Sequence, residues 1–195
     1  LVHKNNQIII HMVASSILPV TIHKGKLYFL FGKENEMEAS AKGFSDFGGG
    51  VEGTESVMET AYREGAEELC GFLGEPSQIK ELIRKNGGTY DITQGKENRE
   101  YHIHIFYMDY DENLPKYYKN HFQFLWNRMD KELLNSTKFF EKQEIRWFST
   151  GEMKSQIKEF RPFYQEFVRG ILLKEKEIRV FIQKKSSKSR TRKNR

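Results

Sequence analysis

One cysteine, Cys70, stands in 195 residues, so no intrachain disulfide can form. A reducing compartment, cytosol or nucleus, is the expected setting. No apolar stretch approaches the roughly 20 residues that a membrane-spanning helix requires. The longest early apolar run, residues 8–10, is too short for the core of a secretory signal. These absences predict a protein that is neither secreted nor inserted in a membrane. Acidic residues are missing from one end: after Gln183 come Lys184, Lys185, Lys188, Arg190, Arg192, Lys193 and Arg195, with no acid among them. The formal charge is +5 and seven of the cations lie here, so the remainder carries −2. The last segment is also nearly free of apolar side chains, a composition that predicts disorder.

A chain of this length fits one domain with terminal additions. The expected organisation is an N-terminal extension over residues 1–15, a folded domain over 16–182 and a basic tail over 183–195. There is no internal repeat. Residues 17–23 and 26–31 are rich in β-branched and aromatic side chains and read as two strands around His23, Lys24 and Gly25. Residues 35–42 read as a loop, and 47–51 as a short strand crowded with glycine. A helix is expected over 57–69, opened by a capping box of Ser56 and Glu59 and stopped by Gly71. A second short helix follows over 77–85, then strands over 89–93 and 100–110. Helical composition over 116–134, a strand over 144–148 and a long helix over 162–182 complete the pattern. Strands and helices interleave throughout, so the class is α/β or α+β.

Projected at about 100° per residue, Met58, Tyr62, Gly65 and Leu69 make one apolar stripe that faces the core. Glu64, Glu67 and Glu68 share a second face roughly 140° away, which would direct three carboxylates away from the core. Like charges one turn apart repel by a few tenths of a kcal/mol. Against that cost, such a cluster offers hard oxygen ligands suited to Mg²⁺ or Mn²⁺. Most glutamate-rich helix faces are simply solvated. What sets this one apart is the wider spacing. Gly49 is followed after five residues by Glu55, seven more lead to Arg63 and Glu64, and Glu67 and Glu68 come next.

That segment, residues 49–72, resembles the Nudix box, G-x5-E-x7-R-E-U-x-E-E-x-G-U, where U is a bulky aliphatic residue. Six identities in register arise by chance on the order of once in ten million start positions, at average residue usage. Residues 45–49 resemble the lead-in to the box, and 144–148 with 150–153 resemble the closing strand and short helix. The likeness departs from the pattern at Gly65, where an aliphatic residue is expected, and at Gly71, which arrives one position late. The resemblance implies an α/β/α sandwich with a mixed central sheet and the box as a loop and helix. It implies a pyrophosphohydrolase acting on a nucleotide-type small molecule, with Glu64, Glu67 and Glu68 holding Mg²⁺ or Mn²⁺. Gly48 or Gly49 would add a backbone carbonyl, and Glu55 would pair with Arg63. Glu52 falls at a frequently acidic position. Glu64 is the first choice for general base, with Glu144 and Glu141 as alternatives.

Tyr101, His102, His104 and Phe106 alternate on a predicted strand, with Tyr101 on one face and the histidines on the other. Tyr101 and His102 are candidate substrate contacts, although a histidine satisfied in the core is the commoner case. Trp126, Phe122 and Phe124 read as helix packing. The seven tail cations fit RNA contact through phosphates, a nuclear-import signal or a solubilising tail. An RNA-directed role such as decapping belongs to the first reading. Two other functions share the scaffold: a nucleic-acid-binding or regulatory module without hydrolysis, against which the intact glutamates argue, and an isoprenoid diphosphate isomerase, for which Cys70 is badly placed. The sequence leaves the oligomeric state open.

Overall fold

The computed structural model describes residues 12–36, 42–96, 99–137 and 140–193. Residues 1–11 of the expected extension and 37–41 of the expected loop lie outside them. Strands β1 (Met12–His23) and β2 (Lys26–Glu34) form an antiparallel hairpin. Its turn places Lys24 and Gly25 at φ 47° and 77°, the double left-handed conformation that matches the twist of the strands it joins. β1 starts at Met12, so residues 12–15 belong to the sheet rather than to an extension. Ala14 and Ser15 are paired along both edges.

β4 (Phe47–Gly50) lies antiparallel to the first half of β1, and β6 (Arg99–Tyr107) runs parallel along the other edge. β5 (Thr89–Lys96) continues the sheet beyond β6. β3 (Phe44–Ser45) and β7 (Lys142–Ser149) pair with β2. One parallel pair among antiparallel ones makes a mixed seven-stranded sheet. Against one face pack α1 (Val57–Glu68), α2 (Pro76–Lys85) and α3 (Leu114–Trp126), over Ile17, Leu30, Phe47, Phe106 and Trp147. Against the other pack α5 (Thr150–Ser155), α6 (Tyr164–Leu173) and α7 (Glu175–Lys193), over Leu18, Phe29, Phe31 and Ile105. The result is the expected α/β/α sandwich.

Three helical expectations change in detail. The segment 116–134 is two helices, because Asp130 caps α4 (Lys131–Ser136) by accepting from the backbone N–H of Glu132 and Leu133. Phe122, Leu134 and Phe140 form a small core of their own beneath that corner, and Trp126 stacks on Phe122 at 5.3 Å. The terminal helix breaks at Lys174 into α6 and α7. The backbone of α7 then stays helical to Lys193, beyond Gln183 and into the segment whose composition predicts disorder. No glycine or proline interrupts that stretch, and lysine, arginine and glutamine are good helix formers.

α1 opens on the expected capping box, in which the backbone N–H of Glu59 donates to Ser56 Oγ and Ser56 N–H donates to Glu59 Oε2. Gly65 explains how closely α1 approaches the sheet: a Cβ there would lie 2.3 Å from Cδ1 of Ile17 on β1. Overpacking of this kind costs about 1–3 kcal/mol, whereas replacing a mid-helix glycine by alanine gains up to about 1 kcal/mol in propensity. Gly65→Ala is therefore expected to destabilise the protein, and Gly65→Leu more severely, as measured by urea denaturation.

Candidate active site

β4 reaches α1 as three glycines in a row. A Cβ on Gly49 would lie 2.5 Å from Glu64 Oε1, so only a glycine lets that carboxylate rest against the strand backbone. The carboxylates therefore do not all project from the core, as helix projection alone suggested. Glu64 and Glu68 are 8% and 3% exposed and turn inward toward β4, while Glu67 is half-buried.

Arg63 gathers the upper part of this surface. Its Nε and Nη2 donate to the two oxygens of Glu55 at 2.8 and 3.1 Å, a bidentate fork that ties the loop to the helix. Nη2 also donates to the carbonyl of Gly50 at 3.2 Å. Nη1 donates to Glu64 Oε1 at 2.7 Å and Glu67 Oε2 at 3.4 Å, with Glu52 at 4.0 Å. Hydrogen bonds from Arg63 hold the Glu55 carboxyl down at about 2, against its ordinary 4.5.

Glu68 has different company. Oε2 accepts the N–H of Gly48 at 2.8 Å, and Oε1 lies 3.1 Å from Nζ of Lys142. Lys142 is 1% exposed and also donates to Glu34 at 2.5 Å and Ser45 at 2.9 Å. Arg161 reaches the same Glu34 oxygen at 2.6 Å. Burial pulls the Lys142 ammonium down, but the charges of Glu68 and Glu34 outweigh it and raise the group above its ordinary value.

The other candidates separate. Tyr101 lies on the α6 face and donates to Asp46 Oδ1 at 2.6 Å; Ser16 donates to the second oxygen. Burial pushes Asp46 up, against the pull of those two hydrogen bonds. His102 lies on the opposite face of β6, between Thr93 at 3.1 Å and Glu100 at 3.2 Å. His104 binds Asp91 at 2.8 Å, the satisfied-histidine case at that nitrogen. Glu144 stands opposite Lys33, on the sheet face away from α1, so the structure does not bring it to the carboxylates. Glu141 is near enough for its charge to act on Glu68.

A cavity of about 810 Å³ opens on the α6 face, lined among others by Gly50, Val51, Arg99, Tyr101, Phe163 and Phe167. Tyr101 and Phe167 lie 4.8 Å apart, ring to ring. Of these, sequence reasoning singled out Tyr101 and the glycine strand. Phe163, Phe167, Arg99, Glu34, Lys142 and Arg161 carry no motif that would have marked them.

No protein-family profile matches the chain, and no curated protein matches it in sequence. Solved structures do match. A bifunctional NMN adenylyltransferase/ADP ribose pyrophosphatase from Francisella tularensis, complexed with AMP and manganese, gives a TM-score of 0.54 at 15% identity, over 85% of this chain and 42% of that one. A Nudix hydrolase from Nitrosomonas europaea gives 0.46 at 11% identity over 86% and 73%, and an Ap4A hydrolase from C. elegans gives 0.45 at 13% over 81% and 93%. This chain therefore spans less than half the length of the first of these. At such identities the likeness is one of fold. The fold is Nudix-like.

Within that fold the box helix is α1, and the metal it implies can be tested against the side chains present. Among the described residues, no group of three or more His, Cys, Asp or Glu is arranged to hold an ion. Two carboxylates do fit: Glu64 and Glu67 converge on one cationic nitrogen, Arg63 Nη1, which marks where a positive charge bridges them. Both are hard oxygen donors, and Mg²⁺ typically takes one or two carboxylates.

The Glu55–Arg63 fork makes a pH prediction. A carboxyl whose pKa falls from 4.5 to about 2 on folding stabilises the fold above pH 4.5 and loses that contribution as pH falls toward 2. Glu55→Gln is expected to be less stable than wild type near neutrality and to lose less stability between pH ~4.5 and ~3, followed by urea denaturation at each pH.

Proposed function

We propose that this protein is a divalent-metal-dependent hydrolase that cuts the diphosphate linkage of a nucleoside diphosphate joined to a second group. The observation that carries the reading is the position of Gly50. Its carbonyl accepts from the same Arg63 that gathers Glu64 and Glu67, and the residue also lines the 810 Å³ cavity. A Cβ on Gly50 would meet nothing within 4 Å, so the strand presents bare backbone there. Carboxylates and cavity thus meet at one strand end.

A bound Mg²⁺ or Mn²⁺ would neutralise charge on the diphosphate during attack by water. The chain's own groups supply the rest. Arg63 keeps Glu64 and Glu67 side by side, and Glu55 fixes Arg63. Glu64, lying against Gly49, receives the proton of the attacking water. Tyr101, Phe163 and Phe167 offer ring faces to a base, and Arg99 offers positive charge at the rim. Nucleoside triphosphates, dinucleotides, nucleotide sugars and capped RNA share the required linkage. The seven cations after Gln183 add a phosphate-binding tail suited to the last of these.

The reading predicts magnesium-dependent turnover within a panel of cap analogues, nucleoside triphosphates and nucleotide sugars. Glu67→Gln should reduce it by ~100-fold or more. Equal turnover by both proteins removes the metal role, and no turnover with retained RNA binding marks a non-hydrolytic module. Phe167→Ala is expected to raise KM by ~5- to 100-fold with little change in kcat, the loss of one stacked base.

A further inference from the structure

We propose that the exposed face of α3 binds single-stranded RNA, as the track for nucleotides that follow the diphosphate. The inference rests on the functional reading above and deepens it, by selecting capped RNA among the substrates that share the linkage. Tyr117 and Phe124 on this helix are 57% and 55% exposed. Among the described residues one other phenylalanine, tyrosine or tryptophan is exposed, Phe163, and it lines the cavity. Of the aromatic residues expected to pack in this region, Phe122 and Trp126 do so, and Phe124 turns to solvent. A single exposed ring is ordinary on a protein surface. These two are not single: Tyr117, His121, Phe124 and Arg128 succeed one another at spacings of four, three and four, which places them on one face of the helix.

That face is also basic. No acidic residue occurs from Asn113 to Met129, and Lys116, Lys119 and Arg128 are all exposed. The Arg128 guanidinium lies 4.0 Å from the centre of the Phe124 ring and donates to the Phe124 carbonyl. A guanidinium plane stacks on a base much as a ring does, and it brings positive charge to the phosphates. Tyr117 and Phe124 stand two turns apart, about 10 Å along the helix axis, the length of about three stacked nucleotides. Cations alone would serve an acidic peptide. Open rings interleaved with them add stacking, which every base offers through its π face.

The inner side of α3 ties the track to the reaction site. Tyr118 donates to the backbone carbonyl of Glu68 at 2.7 Å and to that of Lys142 at 3.2 Å. Phe72, just past the end of α1, lies 5.4 Å from the Tyr118 ring and 5.6 Å from the His121 ring. The helix that presents the rings therefore packs against the end of the helix that carries the carboxylates. RNA held on α3 lies beside the place where its diphosphate is cut, on an element separate from the cations after Gln183.

The test is binding of a fluorescent oligouridylate of ~10 nucleotides with a 5′-hydroxyl end. It carries no diphosphate, and no metal is added, so the result does not depend on hydrolysis. Full-length wild type is compared by anisotropy with Tyr117→Ala/Phe124→Ala and with Lys116→Ala/Lys119→Ala. The aromatic variant is expected to bind at least ~10-fold more weakly. The lysine variant should show a plot of log affinity against log salt that is shallower by about 1 or more. An aromatic variant that keeps its melting temperature and binds within ~2-fold of wild type overturns the proposal. So does wild type that binds an oligoglutamate as tightly as the RNA, which marks a face for acidic proteins. Photocrosslinking of a 5-iodouridine RNA to wild type needs no variant: crosslinks at Tyr117 or Phe124 support the proposal, and crosslinks confined to residues after Gln183 overturn it. The reading of function fails on a different result, the absence of metal-dependent turnover across the nucleotide panel.

Discussion

The close approach of α1 to strand β4 is the constraint on which the rest of this structure depends. A helix normally stands off a sheet by the thickness of the side chains between them. Here Gly65 brings α1 down onto Ile17, and Gly49 leaves a space that the Glu64 carboxylate fills. The N–H of Gly48 then meets Glu68 directly. Acidic groups on a helix that would otherwise be solvated become part of the contact between helix and strand. Their burial is costly without donors, and Arg63, Lys142 and the N–H of Gly48 supply them.

The two bases act differently. Arg63 is a planar fork whose donors bind Glu55 bidentately and still reach Glu64, Glu67 and the Gly50 carbonyl. It organises charge near the surface. Lys142 is a point charge enclosed by Glu34, Ser45 and Glu68, and it organises charge in the interior. Buried pairs of this kind contribute little net stability over apolar packing, but losing one partner costs about 3–5 kcal/mol. Their effect is to fix one geometry. The sheet supplies the remaining arrangement: the carboxylate helix covers one face, the aromatic cavity opens on the other, and strand β4 with its following loop connects the two.

Where sequence reasoning succeeded, local physics was enough. The capping box of Ser56 and Glu59, the strand of glycines and the fork between Glu55 and Arg63 all involve residues within about one helical turn or one loop of each other, and spacing alone brings such groups together. The alternation that separates Tyr101 from His102 is likewise a property of any strand. Expectations slipped where a distant partner intervened. Helical periodicity alone gives α1 one wet side, whereas β4 offers glycine to the acidic side.

By itself, then, the sequence determined the α/β class, the box helix and its N-terminal capping box, and the short-range pairing of acids with Arg63, because each follows from backbone periodicity and neighbour spacing. Only the tertiary structure decided which acids are buried, which face of β7 carries Lys142, and that Phe163, Phe167 and Arg99 line one cavity with Tyr101. Those outcomes depend on a single bulge and on contacts between residues dozens to more than a hundred positions apart. No local period encodes such contacts, because a one-residue change of register sends a side chain to the opposite side of a sheet.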